Sequence, residues 1–207
     1  PVTEPPADPV KTLSCIEMES MPTMVPTGDG MLAACWTDFE GSTTHVVMID
    51  TENDAVAASR DIDGYWELST ERFTDGALAL FDYNSATWQF LDKSLNTTGE
   101  FSAEDMFGVF SHDRSKYYLL KDKVLCSVDV QTGELSRVPL PIDMRFCSIK
   151  CMYPDADILV LEFVLSPFDS KSGFAILDLK EDRYLALQED LFQPEFTSDS
   201  IALFLYN

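Results

Sequence analysis

The residues best suited to holding a ligand are three tryptophans and the acids beside them. Trp36 stands two residues before Asp38, Trp66 sits between Tyr65 and Glu67, and Trp88 lies six residues beyond Asp82. An exposed indole beside a carboxylate can hold a sugar, the ring stacking on a pyranose face while the acid accepts hydroxyl protons. The same rings could instead fill the gaps between adjoining sheets, where bulky side chains are needed. Both readings stand on sequence, and the first makes Trp36, Trp66, Trp88, Asp38 and Asp82 the candidate ligand-binding residues. Glycoside cleavage would further require two carboxyl groups converging from distant parts of the chain. Nothing in the spacing selects such a pair, so no catalytic residue is assigned.

Other chemistries find less support. The only histidines, His45 and His112, lie far apart and in different turn contexts, which argues against a histidine metal or catalytic site. No G-x-S-x-G elbow, phosphate-cradling glycine loop or EF-hand loop occurs. The segment "DTENDAVAASRDIDG" (50–64) carries five acids, but their spacing fits a solvated acidic hairpin better than a calcium loop. The expectation is therefore no metal and no cofactor.

Fourteen basic against 36 acidic residues give a formal net charge of −22. Such a surface repels phosphate backbones and anionic head groups, so nucleic acid is not an expected partner. A protein, peptide or glycan ligand remains open. No apolar stretch approaches the roughly 20 residues that span a bilayer as a helix. The opening decapeptide "PVTEPPADPV" holds four prolines and two acids and reads as an extended tether. Its style is similar to the stretch following the removed signal of bacterial surface lipoproteins. That similarity, with proline in place of a starting methionine, makes an extracytoplasmic, membrane-tethered location the expectation. Five cysteines (Cys15, Cys35, Cys126, Cys147 and Cys151) include no close CxxC pair. On one regular strand Cys147 and Cys151 would share a face about 13 Å apart, too far to bridge. Buried free thiols are the favoured reading, with a single disulfide as the alternative.

The elements that would position these groups follow from a repeat. Apolar runs end at Asp50, Asp92, Asp129 and Asp178, each followed by a polar stretch and a new apolar run; "VLCSVDVQTGEL" is one copy. An aspartate at a strand end accepts backbone N–H groups two residues on and opens a turn. A second series, Asp29, Asp75, Asp113, Asp155 and Asp199, sits in tight turns before a strand, at separations of 46, 38, 42 and 44 residues. The two series alternate along the chain, which defines a four-stranded unit recurring about every 43 residues. No helical periodicity competes.

Four short antiparallel strands per repeat predict an all-β fold, a β-propeller of four-stranded blades. The stretch "FSHDRSKYYLLKDKVLCSVDVQTGEL" resembles the blades of WD-repeat-like, TolB-like and related bacterial surface propellers. They share the serine–aspartate turn, the "KYYLL" strand and the "VD…TGEL" hairpin. The resemblance implies the fold and no particular activity. After a tether over 1–10, the propeller covers 11–207, with blades near 21–62, 65–104, 105–142 and 145–190 and half a blade over 192–207. Two closures are open: a shortened ring of six to eight blades, or five blades with "KTLSCIEME" (11–19) laid against 201–207. The expected role is a non-enzymatic binding or scaffold domain, with a carbohydrate-active enzyme using channel-facing acids as the alternative.

Overall fold

Short apolar runs broken every five to nine residues by a polar turn favour short antiparallel hairpins over any other regular structure. The computed structural model describes residues 14–18, 20–38, 40, 42–103, 108–122, 124–138, 147–152, 158–164, 172–180, 183–189, 192–196 and 201–205. Every regular element among them is a strand. The first sheet contains β1 (Thr23–Gly28), β2 (Met31–Thr37), β3 (Thr43–Asp50) and β4 (Ala55–Asp63). The second contains β5 (Trp66–Leu68), β6 (Leu78–Asp82), β7 (Thr87–Leu91) and β8 (Thr97–Ser102). The third holds β9 (Val109–Phe110), β10 (Lys116–Lys121), β11 (Val124–Asp129) and β12 (Leu135–Arg137). The fourth holds β13 (Cys147–Met152), β14 (Ile158–Val164), β15 (Ser172–Asp178) and β16 (Arg183–Glu189). A final hairpin pairs β17 (Phe192–Phe196) with β18 (Ile201–Leu205). Within each sheet hydrogen-bonded neighbours are sequence neighbours, the plan of a propeller blade. The fold is the expected one: four complete blades and half of a fifth.

The predicted turn aspartates do what their position demands. Asp129 Oδ1 accepts the amides of Gln131 and Thr132 at 3.0 and 2.8 Å, and the Thr132 hydroxyl at 2.9 Å. Asp50 holds Glu52 and Asn53, and Asp92 holds Ser94 and Asn96, in the same manner. Backbone N–H groups aimed at the carboxylates hold Asp92 and Asp129 below the usual range. In the other series Asp29 adopts a left-handed φ of 53°, Asp75 caps Ala77, and Asp113 gathers Ser111 and Ser115. Asp155 and Asp199 lie outside the described residues.

Both faces of the middle strands are apolar because each blade is covered on both sides. Ala33, Cys35, Val46 and Met48 of the first blade meet Leu68, Leu78, Leu80 and Leu91 of the second. On the next interface Ala79, Phe81, Trp88 and Phe90 meet Phe110, Tyr117 and Leu119. Tyr118 and Leu125 then meet Leu159, Leu161, Ala175 and Leu177 of the fourth blade. Polar ties stitch the same interfaces: Lys93 Nζ reaches Asp29 at 2.9 Å, and Arg114 pairs with Asp75.

Two expectations are corrected. Residues 14–18 form no strand, and β18 has β17 as its only partner among the described residues. Instead Cys15, Ile16 and Met18 cover the far face of the first blade, packing on Ala34, Trp36, Val47 and Ile49. That face needs a cover because β2 and β3 alternate apolar residues to both sides. Asp54, at φ 50°, clips the segment by accepting Ser14 N, Ser14 Oγ and Cys15 N at 2.9, 2.6 and 3.2 Å. Those bonds, the Ser14 hydroxyl's first, pull its carboxyl down to about 2. Secondly, β13 does not run in one register. A shift between Ile149 and Cys151 sets Cys151 opposite Val160, so the even count between Cys147 and Cys151 is broken by a bulge. Cys15, Cys35 and Cys126 are free thiols.

One tie between blades is titratable. Glu71, in the connection after β5, accepts the Phe110 amide at 3.1 Å from the third blade. Burial pushes its carboxyl up to about 8, against the lowering pull of the Phe110 and Ser69 hydrogen bonds. A raised carboxyl binds its proton more tightly in the folded than in the unfolded chain, where the value is near 4.3. Its contribution to stability is therefore fully present below about pH 4.3 and is lost as pH rises through about 8. Wild-type melting temperature should fall more steeply between pH 5 and pH 8 than that of Glu71→Gln, measured in parallel scans. Superimposable slopes would remove Glu71 from the account.

Candidate functional site

The site grows from a buried hydroxyl. Thr44 of β3 is fully buried; its Oγ1 donates to Gly64 O at 2.7 Å and accepts the Trp66 amide at 3.0 Å. Gly64 N also donates to Ser42 O at 2.9 Å, and Gly64 takes a left-handed φ of 92° that a side chain would resist. This knuckle joins the first blade to the second and turns Tyr65 outward, 49% exposed. Trp66, half-buried, is fixed by its indole N–H donating to Asp63 O at 3.0 Å.

Around the knuckle lies a recess of roughly 420 Å³. Its walls are the end of β2 (Cys35, Trp36, Thr37), the following Asp38, and the start of the second blade (Tyr65, Trp66, Glu67). Ser20 and Met21 form the rim; the Ser20 hydroxyl donates to Thr37 O at 2.9 Å, and Met21 is 96% exposed. Tyr83 extends the aromatic surface, its ring centroid 5.4 Å from that of Tyr65, and its hydroxyl donates to Glu67 Oε2. That bond pushes the Tyr83 phenol up to about 12. Asp38 Oδ1 accepts Ser42 N at 2.9 Å and so shapes its own turn. Burial pushes the Cys35 thiol up to about 12, so it stays protonated and offers no nucleophile.

Of the five candidate residues, Trp36, Asp38 and Trp66 line this recess; Asp82 and Trp88 do not. Trp88 is 7% exposed and wedged among Phe81, Phe110 and Tyr117 at 4.9, 5.2 and 6.3 Å, so no ligand can stack on it. Trp36 offers only an edge, because His45 stacks on its ring at 5.2 Å and the first blade's far-face cluster holds the rest. Two of the three indoles thus do the packing work that the sequence left open. Asp82 is spent in its own turn on Asn84 N and Ser85 Oγ. Sequence reasoning missed Tyr83; the pairing of Trp66 with Asp82 across β5 and β6 brings it beside Tyr65.

Three of the five acids of 50–64 are likewise committed to protein groups: Asp50 to its turn, Asp54 to Ser14, and Asp61 to His45 Nδ1 at 2.8 Å. Among the described residues no group of three or more His, Cys, Asp or Glu side chains is placed to hold a metal. On the opposite side of the blades a second recess, roughly 370 Å³, contains Asp75, Asp92, Lys93 and Arg114. Its two cations are already neutralised by Asp29 and Asp75.

No protein-family model and no curated protein matches the chain. Among solved structures, the β-propeller domain of the Trilobed protease from Pyrococcus furiosus superposes with a TM-score of 0.55 at 13% identity. That match covers 90% of this chain and 65% of that one. An uncharacterized protein from Listeria monocytogenes gives 0.53 at 10% identity over 94% of this chain and 57% of its own. Hydrazine synthase of Kuenenia stuttgartiensis gives 0.51 at 15% identity over 85% and 52%. The chain thus spans between half and two thirds of the length of these structures. Identities this low speak for architecture alone. What the likeness and the blade order together establish is a β-propeller.

Proposed function

We propose that the chain is a non-enzymatic binding domain that takes its ligand in the recess between the first and second blades. The observation that carries this is the convergence of exposed Tyr65, half-buried Trp66 and the carboxylates of Asp38 and Glu67 on one concavity whose knuckle is tied by Thr44, with exposed Tyr83 beside it, its ring 5.4 Å from that of Tyr65. Exposed rings on a fixed frame provide contact area at small entropic cost, which suits binding. The lining groups serve binding better than turnover: the thiol is protonated, and Glu67 and Asp38 are engaged as acceptors. The proline-rich, acidic residues 1–10 support an extracytoplasmic, tethered setting as part of the same reading.

Peptide and glycan arrays, read beside Tyr65→Ala and Trp66→Ala, test this. A ligand retained by wild type should be weakened at least fivefold by either substitution, with the melting temperature of Tyr65→Ala unchanged. Hydrolysis of chromogenic glycosides without added metal would overturn the non-enzymatic reading in favour of a carbohydrate-active enzyme.

A further inference from the structure

Methionine recurs at a fixed interval where the chain enters the first blade: Met18, Met21 and Met24, in "EMESMPTMV". The fold turns that interval into a neighbourhood. Residues 14–18 begin at the Asp54 clip, at the end of the blade where β3 gives way to β4. They cross the far face toward the other end, where the Ser20 hydroxyl is tied to Thr37 O. There β1 starts its return, pairing first Thr23 with Cys35 and last Gly28 with Met31. The reversal falls at Met21, with Met18 three residues before it and Met24 three after. Met18 packs on the cluster that contains Ala34. Met24 is the register partner of Ala34, and partners across an antiparallel pair project to the same face. Val25, the next residue, is buried toward the second blade instead. Met18 and Met24 therefore share one patch of the far face, with Met21 at the apex beside it. Met21 and Met24 are 96% and 47% exposed, so both thioethers are open to solvent.

We propose that Met18, Met21 and Met24 form a site for one soft monovalent metal ion, copper(I), held by their three thioether sulfurs. A thioether is a neutral, polarisable donor of the kind that selects copper(I), whereas calcium and magnesium take oxygen ligands and zinc takes thiolate, imidazole or carboxylate. The thioethers bring no charge of their own. Thirty-six acids against 14 bases supply the potential that draws a cation to the surface. Nor do thioethers carry a proton that binding must release, as a thiol or an imidazolium would. The site belongs to the first blade and stands apart from the ligand recess, although Met21 lies on the rim of that recess.

The test titrates the full chain with copper(I), kept reduced by ascorbate and set at known free concentration by bicinchoninate. Binding is read from the 13C-labelled methyl resonances of the methionines, with silver(I) as a redox-silent second probe. Met18→Leu, Met21→Leu and Met24→Leu, swaps that conserve volume, should each raise the free-ion midpoint about tenfold. Met31→Leu, which faces the second blade, and Cys15→Ser, which removes the thiol of the same segment, should move it less than about twofold. The midpoint should stay level between about pH 5.5 and 7.5, since no ligand titrates there. Copper(I) should also raise the melting temperature of wild type and not that of Met21→Leu, whose side chain is too exposed for its loss to disturb packing. Loss of the methyl shifts in Cys15→Ser would give the ion to the thiol and overturn the proposal. A midpoint that weakens about tenfold per pH unit toward acid would do the same. Equal midpoints in wild type and all three leucine variants, or equal response to zinc(II), would leave the methionines without a metal role.

Discussion

Phe110→Ala is expected to lower the unfolding free energy by about 3–5 kcal/mol, read from urea denaturation. Phe110 is 1% exposed and stands at the centre of the interface between the second and third blades. Five rings surround it: Tyr117 at 4.7 Å, Trp88 and Phe90 at 5.2 Å, Phe101 at 5.8 Å and Phe73 at 6.0 Å between centroids. These neighbours are anchored in two separate sheets, so the void left by truncation cannot close without moving a blade. The adjacent Trp88 reports the same event, and its emission should shift to the red as water reaches it. A loss below about 1 kcal/mol would show that the blades can slide together, and the interface would then be softer than its packing implies.

Gly108→Ala should be nearly as damaging, about 3 kcal/mol or more, for the opposite reason. A Cβ at this position would fall inside contact distance of the Tyr117 ring and of the Tyr118 carbonyl oxygen. The ring cannot swing away without surrendering its place in the aromatic cluster, and the carbonyl belongs to the middle of β10. The Gly108 amide also donates to the Tyr117 hydroxyl at 2.9 Å, a bond that displacement would break. Reduced soluble yield and an earlier urea midpoint are the expected readouts. Gly99→Ala provides the contrast, since its nearest neighbour outside the local chain is a Phe90 ring atom at 3.7 Å, ordinary contact. Equal tolerance of both substitutions would mean that β9 shifts freely, and the blade interface would need to be redrawn.

The strands and their order were legible because hairpins are local. Asp50, Asp92 and Asp129 each act within four residues of themselves, so their spacing carries the blade period directly. The candidate site was less legible because it depends on which face of a strand meets which neighbour. In a blade covered on both sides, alternation no longer separates inside from outside. Trp36 and Trp88 therefore read like Trp66 in sequence, yet each sits in a different environment. Glu71 and Arg114 were invisible for a related reason: both reach 39 residues along the chain to a neighbouring blade. Residues 14–18 misled because their apolar content suggested a strand, whereas the far face of the first blade needs only coverage, which irregular backbone supplies equally well.

The way residues 14–18 are held has a mechanical consequence. They are attached to the first blade by side-chain contacts and by the Asp54 clip rather than by a ladder of backbone bonds. Tension applied at the N-terminal side would load these contacts one after another, so the segment would peel at low force instead of shearing at high force. Its five residues would release roughly 17 Å of slack at about 3.5 Å each. Among the described residues the next attachment along the chain is the Ser20 hydroxyl on Thr37 O, at the rim of the recess beside Met21. A pull would therefore be felt at the recess between the first two blades before it reached the interfaces between blades.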